Sequence, residues 1–381
     1  MRGHTMRVLF VVSGLGLGGA ERQIVLLSRE LVRLGNHVSV YTLTRVVPRM
    51  DELDGKVNVI VDQKRRRLDF DVIRRLRQHI QTWAPDVIHG FLYDGNIYSR
   101  LAALGLQVAV LNSERSDCYA LSLVQRAGYR LTVRLCDGLV ANSYAGAKFA
   151  RRVHRIGADH VHVVWNGIDL QEVEERLGWS RQPAKEILVG VGLKRLCMVA
   201  AIKPDKDYML ALRVVRHLVD DDPTWRLICV GDELSDATPG YKTDVLNELH
   251  RLGLEPFVSF VGHRRDVPEI IGSSDLLLVT SVREGFPNVV LEAMACGTAV
   301  VSTDYSDVRR ILPVARQVVD SRSDADIAEA VVRCYDIRAD IAAAQRSWVE
   351  ANGTASASTA KMLEVYGKYV AGPTSAPARS A

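Results

Sequence analysis

Short apolar runs of strand length alternate with amphipathic segments of helix length along almost the whole chain, and this alternation restricts the fold more than any other feature. In the first half, MRVLFVVS, HVSVYTL, DVIHGF, VAVLNS, CDGLVANS and HVHVVWNGID read as strands. The segment AERQIVLLSRELVRLG reads as a helix ended by Gly35, and a second helix is predicted over about 96–104. In the second half, RLCMVAAI, WRLICVGD, VSFVG, DLLLVTS and TAVVSTD read as strands, with helices near 207–219, 241–252, 288–296 and 324–336. Strands separated by helix-length connections imply parallel sheets built from βαβ units. A length of 381 residues suits two such domains. The irregular stretch Leu170–Gly192, which contains Pro183, is the predicted linker, and the Pro/Ser/Ala-rich residues 371–381 read as a disordered tail.

No apolar run reaches the roughly 20 residues that span a bilayer. The start of the chain does not read as a signal peptide, and Met1–Thr5 reads as an extension before the first strand. The six cysteines are scattered without close pairs, as expected of reduced thiols in a cytoplasmic protein rather than a disulfide frame or zinc site. A net charge of +4 is too mild to argue for nucleic acid. Positive charge is concentrated locally, however. Lys64-Arg65-Arg66-Arg67 leads into LDFDVIRRLRQHI, whose apolar residues at 70, 73, 76 and 80 lie near helical spacing. A basic amphipathic helix is expected there, either as a solvated face or as a contact for an anionic membrane surface.

Ligands of parallel α/β sheets bind beyond the carboxyl ends of the strands, and three loops at such ends have unusual composition. The first, SGLGLGGAER, satisfies G-x-G-x-x-G through Gly14, Gly16 and Gly19. The second strand ends Tyr41-Thr42-Leu43-Thr44 without the acid that a nicotinamide dinucleotide site would need, so a nicotinamide oxidoreductase is disfavoured. The glycines still allow a ligand close to the amides of a helix start. In the second loop, AAIKPDKD, Lys206 stands before a helix start, where its charge adds to the positive end of the dipole and suits a diphosphate. The third, EGFPNVVLEAMACG, holds Glu284 in the loop and Glu292 in the first turns of a helix that Pro287 and Asn288 open and Gly297 closes. Two carboxylates among apolar runs are costly unless something engages them, and vicinal hydroxyls of a sugar are suitable partners. Asp220-Asp221-Asp222 has a D-x-D spacing but reads as a helix-end loop before Pro223, so no metal is expected.

The segment Glu284-x7-Glu292 within EGFPNVVLEAMACGTAVVSTD, supported by GLGLGGAER, Asn166-Gly167-Ile168-Asp169, KPDK and VGHRRDVPEIIGSSDLLLVTS, resembles the retaining GT-B glycosyltransferases of family 4 from about Met6 to Tyr369. The resemblance implies an α/β GT-B fold, with two Rossmann-like domains whose parallel sheets face a cleft. Residues 6–175 would form the acceptor domain and 190–350 the donor domain, with a helix at about 355–370 crossing back to the first. It implies transfer of a sugar from a nucleotide-diphosphate sugar, UDP- or GDP-linked, to a carbohydrate or lipid-linked hydroxyl, in surface polysaccharide or glycolipid synthesis at the cytoplasmic face of a membrane. No other cofactor is implied. Glu284, Lys206 and His89 are the implied catalytic set. Glu292, Gly18, Gly19, Gly285, Phe286, Asn288, Val289, Gly231 and Arg264 are implied around the donor. Asp94, Asn96 and Arg115, with Glu114 beside them, are implied on the acceptor side.

The chain departs from the family where Ala201 replaces an arginine five residues before Lys206, with Lys203 or Arg283 as substitutes. It also has Gly231-Asp232-Glu233 for a G-x-G turn, Trp165 for a proline and Tyr305-Ser306-Asp307 for a glycine-rich turn. A nucleotide-sugar epimerase of the same fold, or a non-catalytic partner subunit, is the alternative reading.

Overall fold

The computed structural model describes residues 5–115, 122–179, 192–233 and 239–370. The chain forms two compact units, residues 1–167 with 355–381, and residues 168–354.

The first unit holds a seven-stranded sheet of β1 (Arg7–Val12), β2 (His37–Thr42), β3 (Asn58–Val61), β4 (Val87–Gly90), β5 (Ala109–Glu114), β6 (Gly138–Ala141) and β7 (Val161–Val163), in the order β3-β2-β1-β4-β5-β6-β7. The second holds β8 (Lys194–Val199), β9 (Trp225–Val230), β10 (Val258–Phe260), β11 (Leu276–Val279), β12 (Ala299–Thr303) and β13 (Val318–Val319), in the order β10-β9-β8-β11-β12-β13. Every named strand pair is parallel. Each sheet is therefore doubly wound, and its order reverses at β1/β4 or β8/β11. At these switch points adjacent loops part and leave room for a ligand.

The central strands are apolar almost throughout because both sheet faces are covered. Along β1, Val8, Phe10 and Val12 pack against the helices Gly19–Arg33 and Ala355–Val370. Leu9 and Val11 point the other way, toward the helices Phe70–Trp83 and Leu92–Ala102. The terminal helix thus belongs to the first unit, where Met362, Val365 and Tyr366 are buried.

Three expectations change. The division between units falls at Gly167/Ile168, ahead of the predicted linker. Leu170–Trp179 is a helix that belongs to the second unit, where Arg176 pairs with Glu269 and Leu177 packs against Gly272. Pro183 and the predicted disordered tail lie outside the described residues. In the basic segment a helix does form, Phe70–Trp83, capped by the Asp69 carboxylate accepting from the amides of Asp71 and Val72. Its buried stripe is Val72, Leu76 and Ile80, so Phe70 does not share the inward face and stands 76% exposed.

Close backbone packing fixes the first switch point. A Cβ built on Gly95 would lie 2.2 Å from the Val11 carbonyl oxygen and 3.2 Å from the Val12 Cα, both rigid main chain. Gly95→Ala is predicted to destabilise the first unit by about 1–3 kcal/mol through overpacking. A lowered urea midpoint with an unchanged slope checks it.

Candidate functional site

The loops after β8 and β11 flank the second switch point and are laced together. The Val282 amide donates to the Asp205 carbonyl at 2.8 Å. The Thr280 hydroxyl donates to the carbonyls of Lys206 at 2.8 Å and Asp207 at 3.0 Å. Arg322, arriving after β13, donates to the Asp207 carboxylate at 2.6 Å and to the carbonyls of Thr280 at 2.9 Å and Ser281 at 3.2 Å. Asp207 has a left-handed φ of 49° and its carboxylate caps the helix Tyr208–Asp221 by accepting from the Leu210 amide.

This lacing brings Lys206 and Glu284 together. Lys206 Nζ lies 2.5 Å from Glu284 Oε1, with the two side chains only 13% and 17% exposed. The Ser281 hydroxyl donates to the same carboxylate oxygen at 2.8 Å. Gly285 follows, its carbonyl accepting from the Ser306 hydroxyl at 2.8 Å. Phe286 is buried, and the helix Asn288–Ala295 opens at Asn288 and Val289 and carries half-buried Glu292 in its second turn. Tyr305 is buried, and burial together with the nearby Glu284 carboxylate raises its pKa far above the usual phenol value. Tyr305 and Ser306, noted only as departures from the family pattern, thus support the Glu284 loop. Ser306 does so from a left-handed φ of 48°.

Other donor-side residues have structural work. Gly231 has φ of 126°, and a Cβ there would lie 2.0 Å from the Ala200 carbonyl oxygen, so backbone packing alone demands glycine. Arg264 grips Asp266 through two bonds of 2.8 and 2.7 Å, which holds that carboxyl below its usual pKa. Of the substitutes for the missing arginine, Arg283 donates to Asp205 at 3.0 Å, and Lys203 lies 3.9 Å from the same carboxylate. The D-x-D acids are engaged within the fold: Asp220 by Arg216 and Asp222 by Lys194 and Thr224, which hold the Asp222 carboxyl down to about 2.

In the first unit, Gly18 and Gly19 are exposed at the start of the helix Gly19–Arg33, with Gly18 as its N-cap. Gln23 in that helix bonds both ways with the Gly167 backbone at 2.9 Å, fixing the Asn166-Gly167 turn. Arg115 donates to the Asn166 side chain at 2.7 Å and lies over the Phe91 ring. Asp94 pairs with Lys64.

Two expectations need correction. His89 is fully buried, and both ring nitrogens are engaged, Nδ1 with the Tyr366 hydroxyl at 2.7 Å and Nε2 with Ser113 Oγ at 2.8 Å. Burial, aided by the charge of Arg115, depresses its pKa well below the ordinary histidine value. It is therefore a neutral core residue tying the terminal helix to β4 and β5, without a free nitrogen for an acceptor. Asn96 is likewise fully buried, donating to the Ser113 carbonyl and the Tyr129 hydroxyl, so it does not face an acceptor.

With this geometry in place, comparison with known proteins defines the class. Residues 193–336 match the family model described as Glycosyl transferases group 1, and residues 17–172 match that of Glycosyltransferase Family 4. The chain is similar to the mannosylfructose-phosphate synthase of Agrobacterium fabrum, 24% identical over 79% of this chain and 74% of that protein. It is also similar to a Campylobacter jejuni alpha-1,4-N-acetyl-D-galactosaminyltransferase whose named acceptor ends in PP-undecaprenol, 23% identical over 79% of this chain and 80% of that protein. Among solved structures, Anabaena HepE in complex with UDP superposes with a TM-score of 0.81, at 18% identity over 95% of this chain and 100% of that one. The chain belongs to the family 4 glycosyltransferases and has their GT-B fold.

The burial of neutral His89 has a pH consequence. Its folded-state pKa lies below the unfolded value of about 6.5, so protonation favours the unfolded chain. The contribution is complete above that value and is lost as pH falls below it. Thermal melts are expected to decline in midpoint from pH 7 toward 5, and His89→Asn should flatten that decline while lowering the midpoint at pH 7.

Proposed function

We propose that this chain transfers a sugar from a nucleotide-diphosphate sugar to an acceptor hydroxyl with retention of anomeric configuration. The observation that carries the reading is the Lys206–Glu284 pair, held 2.5 Å apart at the switch point of the second sheet. Lys206 would take the diphosphate and stabilise charge on the departing phosphate oxygens. Released from Lys206, Glu284 would accept from donor-sugar hydroxyls, and Glu292 would accept from the ribose. The amides around Gly285 and the start of the helix Asn288–Ala295 add fixed dipoles that need no reorganisation during reaction.

The acceptor hydroxyl would attack C1 from the face that the nucleoside diphosphate leaves. Its proton would pass to the departing phosphate oxygen, so neither a protein base nor a carboxylate nucleophile is required, unlike in a retaining hydrolase. This fits a fold in which His89 has no free nitrogen. With Asp220 and Asp222 engaged by Arg216 and Lys194, charge neutralisation is assigned to Lys206, and transfer is proposed to be metal-independent. The acceptor is proposed to be a carbohydrate or lipid-linked glycan, as in the Campylobacter relative's name. The cytoplasm is the proposed site of action.

The donor is identified by thermal shift across UDP- and GDP-sugars, since a ligand of the folded state raises the melting temperature. With that donor, Lys206→Ala and Glu284→Ala should each lower kcat by about 100-fold or more. The anomeric coupling constant of the product, read by NMR, should match that of the donor, and a chelator should leave the rate unchanged. An inverted product, or full activity in Glu284→Ala, rejects this mechanism. Conversion of donor to an isomeric nucleotide sugar without acceptor would favour the epimerase reading.

A further inference from the structure

We infer that the outer surface of the helices covering one face of the first unit's sheet is a docking surface for an anionic lipid bilayer. The helices concerned are Phe70–Trp83, Leu92–Ala102, Leu123–Thr132 and Tyr144–His154. They pack in a row. Tyr98 of the second joins Val72 and Leu76 of the first in one core cluster, and Ile97 joins Tyr129 and Val133 in another. His154 of the fourth stacks on Tyr129 at 4.2 Å between centroids.

Among the described residues, the large apolar side chains more than three-quarters exposed are Leu17, Phe70, Val124 and Leu131, at 76, 76, 77 and 79%. The last three all lie on helices of this row. At about 100° per residue, Val124, Ala127 and Leu131 fall within about 60° of one another, opposite buried Tyr129 and Val133. The helix Leu123–Thr132 therefore presents an apolar stripe to the outside, the reverse of an ordinary surface helix.

Charge identifies the occupant. Between Ser122 and Arg155 the chain carries Arg126, Arg130, Arg134, Lys148, Arg151, Arg152 and Arg155 but only one acid, Asp137. Arg126, Arg130 and Arg134 follow one another at four-residue spacing, Arg134 next to the apolar stripe and Arg130 and Arg126 successively farther round; all three are exposed and enter no ion pair among the described residues. Exposed Arg66, Arg67 and Arg74 lie within four residues of Phe70, alongside the adjacent acids Asp69 and Asp71. Cations flanking protruding apolar residues match a surface with anionic headgroups above hydrocarbon. Phe70 and Val124 stand in the first turns of their helices, which in a parallel sheet begin at the strands' carboxyl edge. A bilayer docked there would lie beside the edge where Asp94 and Arg115 stand. The inference rests on this surface alone, not on the donor reading.

Flotation of the full chain with phosphatidylcholine vesicles, with and without phosphatidylglycerol, tests it. Binding is expected only with phosphatidylglycerol and should fade as salt rises. The triple variant Arg126→Ala, Arg130→Ala, Arg134→Ala should weaken partitioning on the order of 100-fold. Val124→Ser with Leu131→Ser should weaken it about tenfold or more, with unchanged melting of the free protein. No binding, equal binding to neutral vesicles, or unaffected variants overturn the inference. So does an oligomer that Leu131→Ser converts to a monomer while vesicle binding persists, since the stripe is then a subunit interface. Nucleotide-induced thermal shift should be the same in these variants and the parent, so failure here and failure of the donor reading are separate results.

Discussion

The loops at the second switch point depend on one ion pair. Lys206 and Glu284 are mostly shielded from water, and each compensates the charge of the other. Removing one partner leaves a shielded, uncompensated charge, which for a fully buried pair costs about 3–5 kcal/mol and less here, where both side chains keep some exposure. On the proposed reading the pair sets the order of events on binding: a diphosphate would take Lys206 as Glu284 gains another partner, and sugar hydroxyls would supply one.

The surroundings hold that exchange in place. Arg322, Thr280 and the Asp205 carbonyl lock the two loops, while Ser306 fixes Gly285. The first unit uses polar groups differently. His89, Ser113, Tyr366, Asn96 and Tyr129 form hydrogen-bonded contacts beneath the strand ends, joining the terminal helix to the sheet. A neutral histidine with both ring nitrogens engaged makes a rigid support and a poor proton carrier.

The sheets and the donor loop were legible because local sequence carried them. Buried parallel strands are short apolar runs, and the helix Asn288–Ala295 is bracketed by Pro287 and Gly297, whose backbone preferences mark its ends. The two-residue β13 is too short to stand out, while β3, at the sheet edge, was missed although Val59, Ile60 and Val61 carry a strand-like apolar run. Phe70 was misplaced because spacing counts apolar residues without knowing which stripe meets the sheet; the stripe was Val72, Leu76 and Ile80. His89 reads as a reactive residue at a strand end, yet its partner Tyr366 lies 277 positions away. Arg322 is 115 positions from Asp207, and no local pattern joins them.

In the proposed division of roles, Lys206 serves the diphosphate and Glu284 the sugar. Calorimetric titration of UDP or GDP and of the matching nucleotide sugar into the parent, Lys206→Ala and Glu284→Gln tests it most directly. Loss of Lys206 should weaken the nucleotide and the nucleotide sugar alike. Glu284→Gln should weaken only the nucleotide sugar and leave the nucleotide as tight or tighter, because Lys206 is then unpaired. Equal weakening of both ligands by Glu284→Gln, or none, would contradict the division of roles.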